Sequence, residues 1–285
     1  MSSEHEIPAV AYLGPPGTYS EQALLEYAPA AEGIPFGTER EAIVAVADGT
    51  VQSAIVPIEN SIEGGVRGTL DALAGEDLGV AIVAEADLPV ELCLIGRPVS
   101  LDQVERVISH PQPLAQASRF LATDLPGAAQ IAARSTADAA KQVSESEGAS
   151  LAIGSRRAAE LYGLDVLAES IQDEDGNVTR FVVVSPKPID TSGAGPWKTT
   201  LVFYGAGDDH PGWLVRCLAE FGDRDINLVK IESRPRRGQL GHYLFVADLE
   251  GAVSEPTVAA AVQGLGDLCE VVRVLGSYRP ADNGG

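Results

Sequence analysis

A hydroxyl and a guanidinium stand side by side where a polar loop meets an apolar run. Thr179 and Arg180 come just before residues 182–184, a valine run that predicts a buried strand. A threonine hydroxyl can donate a hydrogen bond to a ligand, and an arginine can hold a carboxylate through two nitrogens. Because the first residues of a buried strand are rigidly held, the pair is a candidate reactive centre. The alternatives are that Thr179 only starts the strand and that Arg180 pairs with Asp173 or Asp175.

Polar side chains also follow two other predicted strands. The segment "VPIENSIEGG" places Glu59, Asn60 and Ser61 after an apolar run, and "ISHPQPLAQ" places Ser109 at a strand end and Gln116 one turn into a helix. Ligands of open α/β sheets bind beyond the carboxyl ends of the strands. We therefore expect these hydroxyls and amides to line one cleft that suits a small carboxylate. Each segment alone is equally typical of an ordinary polar turn.

Two further turns are interpreted first as helix starts. In "GPPGTYSEQAL", Thr18 and Glu21 have the spacing of a capping box, and the alternative is that free N–H groups there face an anion. In "AIGSRRAAELYGL", Ser155 is a candidate N-cap. Arg156 and Arg157 follow it, although the helix macrodipole disfavours cations at this end. A nearby acid or an anionic ligand would explain them.

The order of the elements predicts two domains. Short apolar runs alternate with helical segments over 8–185, which predicts an α/β domain with a largely parallel sheet. The run at 80–96 is longer than one strand and is expected to cross between two lobes, with a return near 165–180. Residues 186–197 are rich in Pro, Gly and Ser and are interpreted as a linker. Residues 198–280 follow the ferredoxin-like order β-α-β-β-α-β.

Composition excludes several classes of function. The chain has 285 residues, and its 45% hydrophobic but only 5% aromatic content predicts an aliphatic, alanine-rich core. A net charge of −21 argues against nucleic-acid binding. No apolar run reaches the ~18 residues of a membrane span, and the N-terminus does not resemble a secretory signal, so the cytoplasm is the expected location. The dispersed Cys93, Cys217 and Cys269 predict no disulfide framework, and neither metal-ligand spacing nor a nucleotide motif is present.

Four motifs in order closely resemble the prephenate dehydratase family. They are "GPPGTYSEQA", "VPIENSIEGG", "SHPQPLAQ" and "IQDEDGNVTRFVVVS", and "IESRP" resembles the phenylalanine-binding ACT regulatory domain of the same family. The resemblance covers nearly all of 8–280. It implies a two-lobed, periplasmic-binding-protein-like catalytic domain with the site between its lobes. It also implies conversion of prephenate to phenylpyruvate, with loss of water and CO₂, in L-phenylalanine biosynthesis and without a cofactor. Because no chorismate mutase segment precedes residue 8, the monofunctional form is expected.

The resemblance also implies roles for individual residues. Thr179 is the main catalytic candidate. The further catalytic candidates are Asn60, Ser109 and Gln116, and the substrate-binding candidates are Arg180, Thr18, Ser20, Glu59 and Ser61.

For the ACT segment the resemblance implies binding of L-phenylalanine between paired domains. The implied effector residues are Gly212, Leu214, Val215, Glu232, Ser233, Arg234 and Pro235. The family's Gly-Ala-Leu-Val has Trp213 in place of alanine here, which either points away or narrows the pocket. A homodimer or homotetramer is the expected assembly.

Two other functions are kept open. Arogenate dehydratase performs the same chemistry on the amino analogue of prephenate, and the sequence does not choose between the two. A non-catalytic sensor that binds a small carboxylate or an amino acid is a different class. The joint presence of Thr179, Asn60, Ser109 and Gln116 favours an enzyme over this sensor.

Overall fold

The fold is taken from a computed structural model that describes residues 8–75, 77–205, 207–236 and 241–281. Strands and helices alternate through the first two thirds of the chain. Their bounds are β1 Ala9–Leu13, α1 Tyr19–Tyr27, β2 Glu32–Phe36, α2 Glu39–Ala47, β3 Ser53–Asn60, β4 Gly64–Gly65, α3 Arg67–Gly75, β5 Ala81–Pro89, β6 Cys93–Gly96, β7 Arg106–Ser109, α4 Pro111–Gln116, α5 Ser118–Asp124, β8 Ala129–Ala132, α6 Thr136–Glu145, β9 Ser150–Gly154, α7 Arg156–Tyr162, β10 Asp165–Ala168 and β11 Val178–Ser185.

The remaining elements follow the predicted ferredoxin-like order. They are β12 Lys198–Tyr204, α8 Trp213–Gly222, β13 Leu228–Pro235, β14 Tyr243–Glu250, α9 Pro256–Leu268 and β15 Val271–Tyr278. Their sheet has the order β13-β14-β12-β15 with antiparallel neighbours, so this prediction is confirmed. The sequence also predicts that "RRGQ", residues 236–239, joins the second and third strands of this order, and all of it except Arg236 lies outside the described residues.

Backbone contacts divide the chain into two compact units. Unit 1 comprises Met1–Ala42, Glu59–Gly64 and Asp87–Arg180, and unit 2 comprises Ile43–Ile58, Gly65–Ala86 and Phe181–Gly285. The boundaries between these units differ from the domain boundaries expected at 185 and 198, because the strands β3, β5 and β11 each have residues in both units. The expected domain boundaries therefore stay a prediction.

Unit 1 contains a five-stranded mixed sheet of order β10-β6-β9-β7-β8. Strand β7 is parallel to β8 and β9, whereas β6 is antiparallel to β9 and β10. The expectation of a largely parallel sheet is thus wrong for this half. Strand β6 follows β5, which belongs to the six-stranded sheet, and it runs opposite to both of its own neighbours, β9 and β10.

The core of unit 1 is aliphatic and rich in alanine, as composition predicts. One face of the five-stranded sheet carries Leu94, Leu151 and Ile153, each completely buried. The other face packs against α6 and α7 through small side chains. Alternation of neighbouring strand residues between two faces explains both clusters. Strand β7 is held within this sheet between β8 and β9, and α4 begins directly after it.

A six-stranded sheet contains β1 to β5 and β11, with β11 between β3 and β5. Strand β1 pairs in parallel with β2. Strand β3 ends at Asn60 and strand β11 begins at Val178. The polar segments singled out in the sequence lie at these two strand ends.

The helix expected after β7 is broken at Ala117. The Gln116 carbonyl accepts the N–H of Asp173 at 2.6 Å, and the N–H of Arg119 donates to the Asp173 carboxylate at 3.0 Å. Ser118 Oγ donates to the same carboxylate at 2.6 Å. Asp173 therefore inserts into the helical hydrogen-bond ladder and caps the second piece.

Candidate functional site

Thr179 and Asn60 are joined by a hydrogen bond between their side chains. Asn60 ends β3 and Thr179 is the second residue of β11. Asn60 Nδ2 donates to Thr179 Oγ1 at 2.9 Å. The structure thus brings together two candidates that are 119 positions apart in the chain. No other hydrogen-bond partner of Thr179 Oγ1 occurs among the residues that the structure describes.

The turn after β3 fixes the direction of the Asn60 amide. Asn60 Oδ1 accepts the backbone N–H groups of Ile62 and Glu63, each at 3.0 Å. An asparagine carbonyl that binds N–H groups two and three residues later is typical of a tight polar turn. Because the oxygen is held there, the nitrogen of the same amide points towards Thr179.

Ser61 ties this turn to the approach of β11. Its hydroxyl accepts the N–H of Val178 at 3.0 Å and donates to the carbonyl of Gly176 at 3.2 Å. The backbone N–H of Ser61 donates to the Val178 carbonyl at 2.9 Å. Ser61 is exposed, but its hydroxyl is engaged in this connection. Its predicted contact with substrate therefore competes with a role in holding the turn.

Asn177 is a polar residue at the site that sequence reasoning missed. It is only 5% exposed, and its Oδ1 accepts from Asn60 Nδ2 at 2.7 Å. The Asn177 carbonyl accepts the N–H of Val90 at 2.8 Å, which holds the backbone. The available signal was its place in "GNVTRF", two residues before Thr179, because alternate strand residues share a face.

Arg180 is paired with Glu59. Its Nη2 lies 2.9 Å from Glu59 Oε2, and its side chain is 12% exposed. The partner in this pair is Glu59 rather than Asp173 or Asp175, the two considered from the sequence. The structure places both substrate-binding candidates, Arg180 and Glu59, in contact with each other, so a carboxylate ligand would share the guanidinium with Glu59.

A cavity of about 340 Å³ lies in unit 1 beside this network. Its volume falls in the range of small-molecule sites. Gln116 Nε2 is buried there and has no hydrogen-bond partner among the described residues. Asn177 also lines the cavity, whereas Thr179, Asn60 and Ser109 do not. The lining residues are Ile62, Glu63, Gln112, Ala115, Gln116, Gln172, Asp173, Glu174 and Asn177.

One wall of this cavity is acidic. Desolvation acts to raise the pKa of Asp173, but hydrogen bonds from Ser118 and Arg119 outweigh it and hold the pKa below its usual value. Asp173 is therefore a carboxylate at neutral pH, and it faces the cavity together with Glu63 and Glu174. An anionic ligand would have its negative groups directed towards the amide donors, Gln116 and Asn177, and away from this wall.

Ser109 is not on the surface of the cavity. Its side chain is fully buried, and its hydroxyl donates to the Ile153 carbonyl at 2.7 Å. This bond links the end of β7 to β9. In this geometry the hydroxyl is committed to the sheet beneath α4 and is not directed at a ligand.

Thr18 caps α1 as predicted. Its Oγ1 accepts the N–H of Glu21 at 3.4 Å and donates to the Leu13 carbonyl at 3.0 Å. The Glu21 carboxylate accepts the N–H of Gly17 at 2.8 Å, one residue before the partner in a standard capping box. Ser20 is buried, at 5% exposure. Neither substrate-binding candidate lines the cavity described above.

The two arginines at the start of α7 are explained by acids. Arg157 Nε lies 3.1 Å from Glu21 Oε2, and Arg156 is paired with Glu169. Ser155, the expected N-cap, accepts the N–H of Ala158 at 3.1 Å. Each cation is thus compensated by a carboxylate from elsewhere in unit 1, and no ligand is needed to explain them.

In unit 2, a second cavity of about 210 Å³ lies at the start of α8. Gly212 is the N-cap of α8 with φ +78°, a left-handed conformation that favours glycine, and no side chain caps this helix. Free backbone N–H groups at such a position attract a carboxylate. Leu214 and Val215 line the same cavity, together with Tyr243 and Phe245.

Trp213 lies in the core behind that cavity. It is 4% exposed, its Nε1 donates to the Leu268 carbonyl at 2.8 Å, and its ring packs at 5.9 Å from that of Phe245. It also forms part of the cavity wall. The two alternatives for Trp213 therefore combine, since most of the ring is buried in the core while one side limits the cavity.

The "ESRP" segment in β13 alternates between exposed and shielded positions. Ser233 and Pro235 are exposed, whereas Glu232 and Arg234 are partly buried. Glu232 lies against Gly65, where an added Cβ would overlap its carboxylate, and Arg234 binds Asp71. None of these four predicted effector residues lines the cavity at α8.

No group of three or more histidines, cysteines, aspartates or glutamates suited to a metal ion occurs within the described ranges. In the same part of the chain, no helix is long and apolar enough to cross a bilayer.

Taken together, the fold and the site define an α/β protein that offers a hydroxyl and side-chain amides to a small ligand. The model of the prephenate dehydratase family matches residues 10–189, and the chain belongs to this family of carbon–oxygen lyases.

Three known proteins show how similar the chain is to others. Arogenate dehydratase 4, chloroplastic, of Arabidopsis thaliana is 40% identical over 287 residues, covering 94% of this chain and 67% of the relative. The structure of a prephenate dehydratase from Arthrobacter aurescens in complex with L-Phe has a TM-score of 0.89 and 39% identity, covering 96% of this chain and 90% of that one. The structure of GqqA, described as a quorum quenching acylase, has a TM-score of 0.86 and 32% identity, covering 96% of this chain and 98% of that one.

Proposed function

We propose that this chain converts prephenate to phenylpyruvate, with loss of water and carbon dioxide, in L-phenylalanine biosynthesis. The observation that carries the proposal is the hydrogen bond from Asn60 Nδ2 to Thr179 Oγ1. Because the hydroxyl oxygen accepts this bond, its hydrogen is directed to another acceptor. The oxygen that leaves the substrate is an acceptor of the required kind.

The chemistry needs little more from the protein than such a donor. The bond between the ring and its carboxylate breaks, and the electron pair enters the ring as CO₂ departs. The bond between the opposite ring carbon and its hydroxyl breaks, and the oxygen leaves with the bonding electron pair and takes one proton from solvent to become water. The aromatic ring that forms drives the reaction. Thr179 stabilises the negative charge that develops on the departing oxygen.

The neighbouring amides suit the rest of the substrate. Gln116 Nε2 is buried without a partner within the described residues, and burying such a donor costs free energy unless a ligand satisfies it. A carboxylate or keto oxygen of prephenate would do so. Arg180 keeps its predicted role as a carboxylate ligand, in competition with Glu59. Ser109, Thr18, Ser20 and Ser61 stay predictions from the resemblance.

The test is phenylpyruvate formation from prephenate by the purified chain and by Thr179→Val. We expect the variant to lose about 10²–10³ in kcat, by analogy with the loss of one preorganised donor. Thr123→Val is the matched control, because Thr123 is exposed on α5 and does not line the cavity. Near-normal turnover by a folded Thr179→Val would contradict the role of the hydroxyl.

Arogenate is the second candidate substrate, because one relative that spans most of this chain is an arogenate dehydratase. The same leaving-group chemistry applies, and only the side-chain keto group is replaced by an ammonium. The acidic wall formed by Glu63, Asp173 and Glu174 favours a cation more than a keto group. Comparison of kcat/KM for the two substrates decides between them. Turnover of neither would favour a binding protein without catalysis.

L-Phenylalanine is proposed as the effector, bound at the cavity beside Gly212, Leu214 and Val215. The cavity is lined by apolar side chains together with Asp208 and His210, and α8 begins there without a side-chain cap. This lining fits both the aromatic side chain and the charged groups of an amino acid. The resemblance of 198–280 to an ACT domain supports the same conclusion. Equilibrium dialysis with labelled phenylalanine tests it, and the absence of saturable binding would overturn it.

Glu232, Ser233, Arg234 and Pro235 are proposed to act in this regulation from β13, and a homodimer or homotetramer is proposed as the assembly. The exposed apolar residues Val229 and Ile231 on this edge strand are consistent with a partner there. Sedimentation velocity would establish the assembly. A cytoplasmic location stays the expectation from the sequence.

A further inference from the structure

Three side chains form a hydrogen-bonded chain that ends at the proposed reactive hydroxyl. Asn177 Oδ1 accepts from Asn60 Nδ2 at 2.7 Å, and the same nitrogen donates to Thr179 Oγ1 at 2.9 Å. An amide nitrogen carries two hydrogens, which serve these two nearer acceptors, while the Val178 carbonyl lies further away at 3.4 Å. The position of Asn177 Oδ1 therefore constrains where the second hydrogen points.

The opposite end of the Asn60 amide is also fixed. Its oxygen accepts the N–H groups of Ile62 and Glu63 at 3.0 Å. A reversed amide would place NH₂ against two N–H donors and lose both bonds. The polarity of the chain is thus set: Asn60 donates, and Thr179 accepts and keeps its own hydrogen for a ligand.

Burial makes Asn177 an effective anchor for this arrangement. Only 5% of the residue is exposed, and its backbone carbonyl binds the N–H of Val90 at 2.8 Å. Its side chain also lines the cavity that contains the unpartnered Gln116 Nε2. Asn177 therefore connects the wall of the cavity to the hydroxyl that lies outside that wall.

We propose that Asn177 is a positioning residue for the dehydration, which holds the Asn60 amide and through it directs the Thr179 hydroxyl. The proposal rests on the proposed function for its kinetic consequence. Its structural core, the orientation of Asn60, does not depend on which substrate the chain uses.

The kinetic test compares Asn177→Ala with Asn177→Asp, in which a carboxylate oxygen can still accept from Asn60. Loss of one hydrogen bond predicts a decrease of about tenfold in kcat for Asn177→Ala, with KM nearly unchanged. Asn177→Asp is expected to recover most of that loss. Asn227→Ala is the matched control, because this asparagine is exposed in unit 2. Equal loss in both Asn177 variants would overturn the proposal.

A double-mutant cycle distinguishes positioning from a general effect on folding. In a Thr179→Val background, Asn177→Ala should lower the residual kcat by less than about twofold, because its target hydroxyl is already absent. The full tenfold loss in that background would show that Asn177 acts independently of Thr179 and would overturn the proposal.

A measurement without substrate keeps the proposal separate from the proposed function. The side-chain NH₂ resonances of Asn60 in ¹⁵N-labelled protein, assigned by their loss in Asn60→Asp, should be protected from exchange in the wild type. Protection should fall in Asn177→Ala and persist in Asn177→Asp. Unchanged protection in Asn177→Ala would refute the anchoring role, whereas failure of turnover alone would refute only the enzymatic function.

Discussion

Arg234 binds Asp71 through two guanidinium nitrogens that converge on one carboxylate oxygen. Nη2 lies 2.7 Å and Nε 3.2 Å from Oδ1, and the arginine side chain is 15% exposed. Arg234 belongs to β13, in the segment that resembles an effector motif, and Asp71 belongs to α3. Helix α3 follows the turn that begins at Asn60. The ion pair therefore joins β13 directly to α3, the helix that follows the Asn60 turn in the chain.

Replacement of Asp71 by Asn should weaken the response to phenylalanine. The change removes the charge that holds Arg234, so β13 and α3 should shift more independently. We expect the phenylalanine concentration for half-inhibition to rise by about threefold or more, within the usual range of coupling between sites. Asp77→Asn is the matched control, because Asp77 is 77% exposed and lies 3.8 Å from Arg273. An unchanged inhibition curve in Asp71→Asn would refute the coupling.

Trp213→Phe should lower stability more than it changes catalysis. The substitution removes the donor to the Leu268 carbonyl and leaves that oxygen without this partner. A cost of about 1–2 kcal/mol in the free energy of unfolding is expected for such a loss. Urea unfolding followed by circular dichroism measures it. A variant as stable as the wild type would show that the indole N–H contributes nothing to the fold.

Ser109→Ala tests whether that hydroxyl is structural or catalytic. Because it is fully buried and bound to the Ile153 carbonyl, its removal should cost about 1–2 kcal/mol of stability. We expect kcat to stay within about threefold of the wild type, less than the loss of one donor to the transition state produces. A hundredfold loss of kcat with unchanged stability would restore the catalytic role implied by the resemblance.

The three cysteines should be inert towards thiol reagents in the folded chain. Burial raises the pKa of Cys93 to about 11 and also raises the pKa values of Cys217 and Cys269. A raised pKa means that less thiolate is present at pH 8 than in an unfolded chain, whose thiols titrate near about 8.5. Ellman's reagent should therefore react slowly with native protein and stoichiometrically in guanidinium chloride. Rapid reaction of the reagent with native protein would contradict the burial of these thiols.

Local signals in the sequence were sufficient for much of the fold and for part of the site. The cap at Thr18 and the ferredoxin-like order were predictable because turn chemistry and hydrophobic period are encoded within a few residues. Asn60 and Thr179 were identified as polar residues at the ends of predicted strands. Their hydrogen bond was not predictable from either segment alone, because it depends on the register of β3 and β11.

The remaining differences also have long-range causes. The break between α4 and α5 is made by Asp173, which lies more than fifty residues further along the chain. The place of Asn177 two residues before Thr179 was a weak signal, because an asparagine after a glycine is also typical of any turn. Burial of the Ser109 hydroxyl required knowledge of β9, which binds it.

The bonds between Ser61 and Val178 have a consequence for how the site is acquired during folding. They join segments 117 residues apart, and contacts of such separation form late because a large loop must close first. Nascent chains that end before residue 178 lack the second half of this connection. Enzymatic competence should therefore appear on refolding only with the last long-range strand pairing, and partly folded intermediates should be silent in an activity assay.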